Sequence, residues 1–164
     1  MNNPSTKRFT REIKAWISYD LGNSAFATTV VAAFFPIFYN QYWASNIDSV
    51  VSAQYLSWTL VISNVTLLFT APLIGAITDI SKTTKKLFIS MVLISIICVA
   101  LLYTLEAGSW LYALVFFGIA NYFFSASNVL YDKILVQIAS PDLFSKISGY
   151  GFAWGYFGGG FLFL

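Results

Sequence analysis

The sequence contains no histidine and only one cysteine, Cys98. Lack of histidine removes the common zinc motifs, serine–histidine nucleophilic arrangements and imidazole proton relays in one step. A lone cysteine inside an apolar run excludes an intrachain disulfide and a cysteine metal cluster. Charge is scarce too. Nine Lys and Arg with seven Asp and Glu make up 10% of the 164 residues, against about 25% in soluble domains. So few ionic groups cannot cover a water-soluble surface. A membrane-embedded enzyme would need clustered acids, histidines or a metal constellation at one membrane face, and the seven acids are scattered. No catalytic residue, metal or cofactor is therefore expected, and no nucleic-acid partner.

What is present is apolar: 58% of residues are hydrophobic and 19% aromatic. Five long runs of low charge follow one another, at about 16–43, 55–78, 87–105, 110–139 and 147–164. Each holds at least about 17–20 residues, enough to cross a hydrocarbon core of roughly 30 Å. Period-two alternation is missing, and an open sheet cannot satisfy its backbone in lipid, so the spans are expected to be helices. The fold class expected is all-α: a polytopic membrane helix bundle over 16–164, preceded by an N-terminal segment at 1–15. Lys7, Arg8, Arg11 and Lys14 precede the first run as they would in a signal peptide. That run is too long for a signal core, and further spans follow it.

The cations set the expected topology. Lys7, Arg8, Arg11 and Lys14 come before span one, and Lys82, Lys85 and Lys86 fall between spans two and three. Lys133 and Lys146 bracket the link between spans four and five, and the alternate loops hold only Asp48 and Glu106. The positive-inside rule then places the N-terminus in the cytoplasm. The membrane expected is the inner or plasma membrane, or the vacuolar membrane if the source is eukaryotic. Trp16, Tyr19, Tyr42, Trp43, Trp58, Tyr103 and Trp110 are expected near the two interfaces.

Polar residues distinguish the spans. In span four, Asn121, Ser125, Asn128 and Asp132 fall at helical spacing on one face. An amide in hydrocarbon without a partner costs roughly 4–8 kcal/mol on the alkane scale, so this stripe faces either other helices or water. Both remain open: interhelical glue, or the wall of an aqueous pathway. Span one repeats the pattern with Asp20, Asn23 or Ser24, and Thr28, although Asp20 could instead be an N-cap at the interface. Span two offers a weaker hydroxyl stripe, Thr59, Ser63, Thr66 and Thr70, then Pro72 and Gly75. Span three has little to vary its apolar surface and is expected to lie at the periphery. Span five carries Gly151, Gly155, Gly158 and Gly159, a spacing suited to close helix packing.

The segment "PLIGAITDISKTTKKL", Pro72 to Leu87, resembles the loop between helices two and three of the major facilitator superfamily. Gly75, Ile77, Asp79 and Leu87 fit that pattern, and Lys82, Lys85 and Lys86 supply its basic turn, with Lys82 where the family places a glycine. Two further stretches resemble the vacuole-effluxer-like branch, the autophagy-linked amino-acid effluxers and their bacterial relatives. These are "WISYDLGNSAFATTVVAAFFPIFY" and "NVLYDKILVQIASPDLFSKISGYGFAWGYFGGG".

The resemblance implies a transporter of two six-helix halves working by alternating access. This chain is then expected to hold five spans of the first half, with the second half absent. Helices one and four line the cavity in that fold, and helix three lies outside. Asp20, Asn23, Ser24, Thr28, Asn121, Ser125 and Asn128 become the expected substrate pathway. Gly75, Asp79, Lys82, Lys85, Lys86 and Asp132 become the expected gating network. Asp79 could instead be a capping or loop aspartate. Asp132 could be a cavity acid, but its neighbour Lys133 favours a structural partnership with Lys82 or Lys85 near the inner face. The function implied is secondary active transport of a small solute, amino-acid efflux included. The alternative is a nonfunctional or accessory fragment of a split transporter gene. Partners expected are the bilayer, a small-molecule substrate and a separately encoded C-terminal half.

Overall fold

The computed structural model describes residues 9–161. Lys7, Arg8 and the last three residues of the fifth expected span lie outside that range. Among the described residues every regular element is helical. The first helical run comprises α1 (Arg11–Ala25), a wider π-wound stretch (Phe26–Phe34), α2 (Phe35–Phe38) and a second π-wound stretch (Tyr39–Trp43). Then come α3 (Ser49–Ser81), α4 (Thr84–Leu101), α5 (Trp110–Ile138) and α6 (Phe144–Phe161), with single 3-10 turns at Leu102–Thr104 and Pro141–Leu143.

Capping sets where the helices begin, and it moves two boundaries outward from the apolar runs. Thr10 accepts the N–H of Ile13 at 3.3 Å, so α1 starts at Arg11, and Glu12 suits its first turn. Asp48 accepts the N–H groups of Val50 and Val51 at 2.9 and 3.3 Å, starting α3 at Ser49. Asp20 therefore lies well inside a helix and is not an N-cap. Among the described residues four runs are long and apolar enough to cross a membrane: Arg11–Trp43, Ser49–Ser81, Thr84–Thr104 and Trp110–Ile138. The chain is an all-α membrane helix bundle. The fifth expected span forms a helix but is not among those four. Glycine adds almost no hydropathy to it, and Lys146 stands in its first turns.

Two compact units are present. One contains residues up to Val30 together with those from Leu135 onward. Here α1 packs along α6, and Trp16, expected at the membrane interface, is buried with its ring edge over Gly151. The Phe9 ring meets Tyr150 edge-on, and the Lys146 ammonium stands 5.9 Å over the Phe9 ring.

The other unit runs from Val31 to Ile134. Phe35, Tyr39, Trp43, Leu102, Leu114 and Phe117 form an aromatic core, with Phe35 and Phe117 stacked at 3.6 Å between centroids. Trp43, also expected at an interface, is buried, and its indole N–H donates to the carbonyl of Leu105 at 3.4 Å. A second cluster gathers Ile74, Met91, Ala126 and Leu130. The helix α4 buries one stripe, Thr84, Met91, Ser95 and Cys98, and leaves Ile89, Leu93, Ile96 and Ile97 exposed. Span three, expected at the periphery, thus still packs one side on protein, where Ser95 and Cys98 lie.

Between α3 and α4 the chain turns through Lys82, which adopts the left-handed region at φ 52° and ψ 28°. That conformation costs a side-chain-bearing residue about 1–2 kcal/mol. It also accounts for the family's glycine there. Replacing Lys82 by Gly is expected to stabilise the fold by about 0.5–1 kcal/mol, the strain relieved less the added chain entropy. Thermal unfolding in detergent checks it; a lowered midpoint contradicts it. The Tyr39 hydroxyl is buried without a hydrogen-bond partner, so Tyr39→Phe is expected to hold or raise the midpoint, by about 1 kcal/mol at most.

Candidate functional site

Within a bilayer a hydroxyl can return its proton to its own helix or pass it to a neighbour, and most hydroxyls here do so. Thr59, Thr66 and Thr70 each donate to the carbonyl four residues earlier at 2.8–2.9 Å. Ser63 donates to the Gly118 carbonyl at 2.8 Å, and the Tyr122 hydroxyl donates to Thr70 at 2.9 Å. Ser95 donates to the Ala120 carbonyl at 3.0 Å. Of the hydroxyl stripe of span two, Ser63 and Thr70 thus tie α3 to α5, while Thr59 and Thr66 bond their own helix. An adjoining groove of about 350 Å³, lined by Thr59, Ser63, Thr66, Gly118 and Tyr122 with aliphatic side chains, is correspondingly apolar.

The expected pathway residues behave differently. On α5, Asn121 is buried, and Ser125 and Asn128 are half-buried on the same side. The Asn128 Oδ1 is buried and accepts no hydrogen bond. In the first helical run the Asn23 Oδ1 and the Thr29 Oγ1 are likewise buried and unmatched. An unmatched buried acceptor costs about 1–3 kcal/mol, and native structures keep few. Thr29 and Tyr39 were not singled out from the sequence. No periodicity marks them, since the π winding around Thr29 rotates residues away from ideal helical spacing.

Asp20, Ser24 and Thr28 share the opposite assignment within their unit. Asp20 and Ser24 on α1, and Thr28 in the π-wound stretch that continues it, line the side that meets α6, four residues apart, whereas Asn23 belongs to another face. Thr28 donates to its own Ser24 carbonyl at 2.9 Å and approaches the Gly159 carbonyl at 3.4 Å. The glycines explain how the helices come so close. A Cβ built on Gly151 would meet Trp16 at 3.0 Å, and one on Gly155 would meet the Asp20 carboxylate at 3.1 Å. One on Gly158 would collide with the Leu21 carbonyl oxygen, and one on Gly159 would press on Thr28 at 3.2 Å.

At the basic end of α3 the expected network is rearranged. Asp79 is a helical residue rather than a cap, and it pairs with Lys133 at 2.6 Å. The same ammonium donates to the Gly75 carbonyl at 3.0 Å and to the Thr78 hydroxyl at 2.7 Å. Asp132 is exposed and takes no ion pair with Lys82 or Lys85. Residues next to each other on a helix point about 100° apart, so Lys133 turned toward α3 leaves Asp132 turned away. Lys82, Lys85 and Lys86 are exposed around the turn.

Comparison with known proteins finds similarity to part of a membrane transporter. The chain is 35% identical over 153 residues to an uncharacterized MFS-type transporter, YxiO, of Bacillus subtilis (strain 168). The alignment covers 93% of this chain and 36% of that relative, so the chain spans little more than a third of its length. No family model and no solved structure matches. Apolar helices and this similarity together point to a multi-pass membrane protein.

The glycine seam makes a sharp pair of expectations. Gly158→Ala forces the Leu21 backbone away and is expected to cost at least about 1–3 kcal/mol. Gly149→Ala, whose Cβ would enter open space, is expected to raise helix stability by about 0.5–1 kcal/mol. Unfolding midpoints of the two variants in detergent decide it, and equal midpoints contradict the seam.

Proposed function

We propose that this chain is part of a secondary transporter of the major facilitator superfamily that moves a small polar solute by alternating access. The observation that supports this reading is the set of unmatched acceptors, Asn23 and Asn128 above all, in a protein most of whose span hydroxyls are bonded to backbone. Hydrocarbon supplies no donors, whereas water or a polar solute does. Asn121, Ser125 and Asn128 on α5 are proposed to supply solute contacts, and the unmatched oxygen of Asn23 is proposed to meet water within its own unit. Amino-acid efflux is the activity proposed, supported by the resemblance of the first span to the effluxer branch and by amide side chains suited to ammonium and carboxylate groups. Asp20 is proposed as the coupling acid, being an acid inside a span. The basic turn at Lys82 is proposed to lie on the cytoplasmic side.

Asn128→Leu in the full-length protein is expected to lower solute flux in proteoliposomes by at least about tenfold, equivalent to roughly 1.4 kcal/mol. The same change removes an unmatched acceptor, so thermal stability is expected to hold or rise. Loss of both flux and stability would identify Asn128 as interhelical glue instead. Asp20→Asn is expected to flatten the pH dependence of flux. Unchanged flux at every pH rules out its coupling role.

A further inference from the structure

Asn64 is an amide that none of the polar stripes accounts for. It lies one residue from the midpoint of the 33-residue α3 and is exposed, and no charged residue stands between Asp48 and Asp79 on that helix. Ser63, Thr70, Thr78 and Asp79 carry polar contacts that tie α3 to α5, and Asn64 takes none of them. Nor does it line the apolar groove beside Ser63 and Gly118. An amide left facing hydrocarbon keeps its full desolvation cost, so this side of α3 meets either another helix or water.

The aromatic core fixes which side that is. Leu60 of α3 and Phe117 of α5 both pack into it. The two helices run the same way, since Ser63 meets Gly118 and Asp79 meets Lys133. Residues four apart share a helix face. Asn64 therefore sits one turn beyond Leu60, and Asn121 one turn beyond Phe117, on the same side of the α3–α5 pair and nearer its basic end. Asn128, with its unmatched oxygen, follows Asn121 by seven residues on that face.

We propose that Asn64 is a solute-contacting residue of the pathway, acting with Asn121, and that the solute they select is polar but carries no net charge. The proposal rests on the transport reading above and adds α3 to the helices that touch the solute. Each amide offers a carbonyl acceptor and two N–H donors, so the pair suits hydroxyl, carboxylate and ammonium groups alike. Neither amide can offset a net charge. Charged side chains of this unit stand near its ends, at Asp48 and Glu106 on one side and around Asp79, Asp132 and Lys133 on the other. An ion drawn between the ends would lose hydration with no counter-charge beside it. A zwitterion brings its own.

Two measurements on the full-length protein in liposomes test this. In a Cys98→Ser background, Asn64→Cys would be treated with a small water-soluble thiosulfonate beside Phe69→Cys, which is 72% exposed and about 140° round α3 from Asn64. Labelling of Asn64→Cys at least about tenfold faster than Phe69→Cys is expected, because the reagent stays in water. Equal rates overturn the proposal, since the amide is then covered by a helix or by lipid. No solute enters this measurement, so it can fail while the transport reading stands.

The second measurement compares glutamine and lysine flux. Asn64→Leu is expected to lower glutamine flux about three- to tenfold, the worth of one hydrogen bond, with an unchanged unfolding midpoint. Asn64→Gln, which keeps the amide, is expected to recover part of that loss. Asn64→Asp is expected to raise the ratio of lysine to glutamine flux. A fall of both flux and midpoint in Asn64→Leu overturns the proposal, because Asn64 is then a contact between helices. Greater lysine than glutamine flux in the unmodified protein overturns the solute class.

Discussion

Hydrocarbon offers no hydrogen bonds, and that constraint orders this protein. Every polar group placed between the membrane faces must find a partner in its own helix, a partner in a neighbour, or a wet space. The first two solutions account for Thr59, Thr66 and Thr70, which bond their own helix, and for Ser63, Ser95 and Tyr122, which bond another. Neither accounts for Asn23, Thr29, Asn128 or the Tyr39 hydroxyl; Tyr39 is sealed in the aromatic core, and a wet space is proposed for the two asparagines. Function is argued from this residue of unsatisfied polarity, not from the number of polar groups.

Close packing and open polarity divide the first helix between them. Toward α6 the glycines remove every Cβ that would hold the helices apart, and Asp20, Ser24 and Thr28 lie against that seam. One residue away in sequence, Asn23 shows a buried oxygen that nothing fills. The π-wound stretch follows directly, from Phe26 to Phe34, and Pro36 comes next with no N–H to give. Wide winding of this kind recurs at functional sites, and here it falls where the first run passes from one compact unit to the other.

Much of the architecture was legible because membrane helices announce themselves by composition. The apolar runs gave the helices from α1 to α5, and the glycine spacing gave the α6 seam. Boundaries were less legible, since Thr10 and Asp48 lie outside the apolar runs and act by capping rather than hydropathy. Lys82 is instructive: its departure from the family's glycine was visible, but only the backbone shows that the left-handed turn is kept. The partner of Asp79 was not legible, and the one expected for Asp132, Lys82 or Lys85, is not the pairing found. Sequence proximity favoured the basic turn for the acids of this region, whereas helix packing brings Lys133 across from α5. Long-range pairing of that kind has no periodic signature. Unmatched acceptors have none either, because a partner's absence is a property of the folded arrangement.

The account rests on Asn23 and Asn128 meeting water, and cysteine accessibility measures that directly. In a Cys98→Ser background within the membrane, Asn23→Cys and Asn128→Cys would be treated with a small water-soluble thiosulfonate, with Ile96→Cys on the exposed side of α4 as the lipid-facing control. Rapid labelling at both asparagine positions with slow labelling at Ile96→Cys is the predicted result. Equal resistance at all three positions would contradict the account.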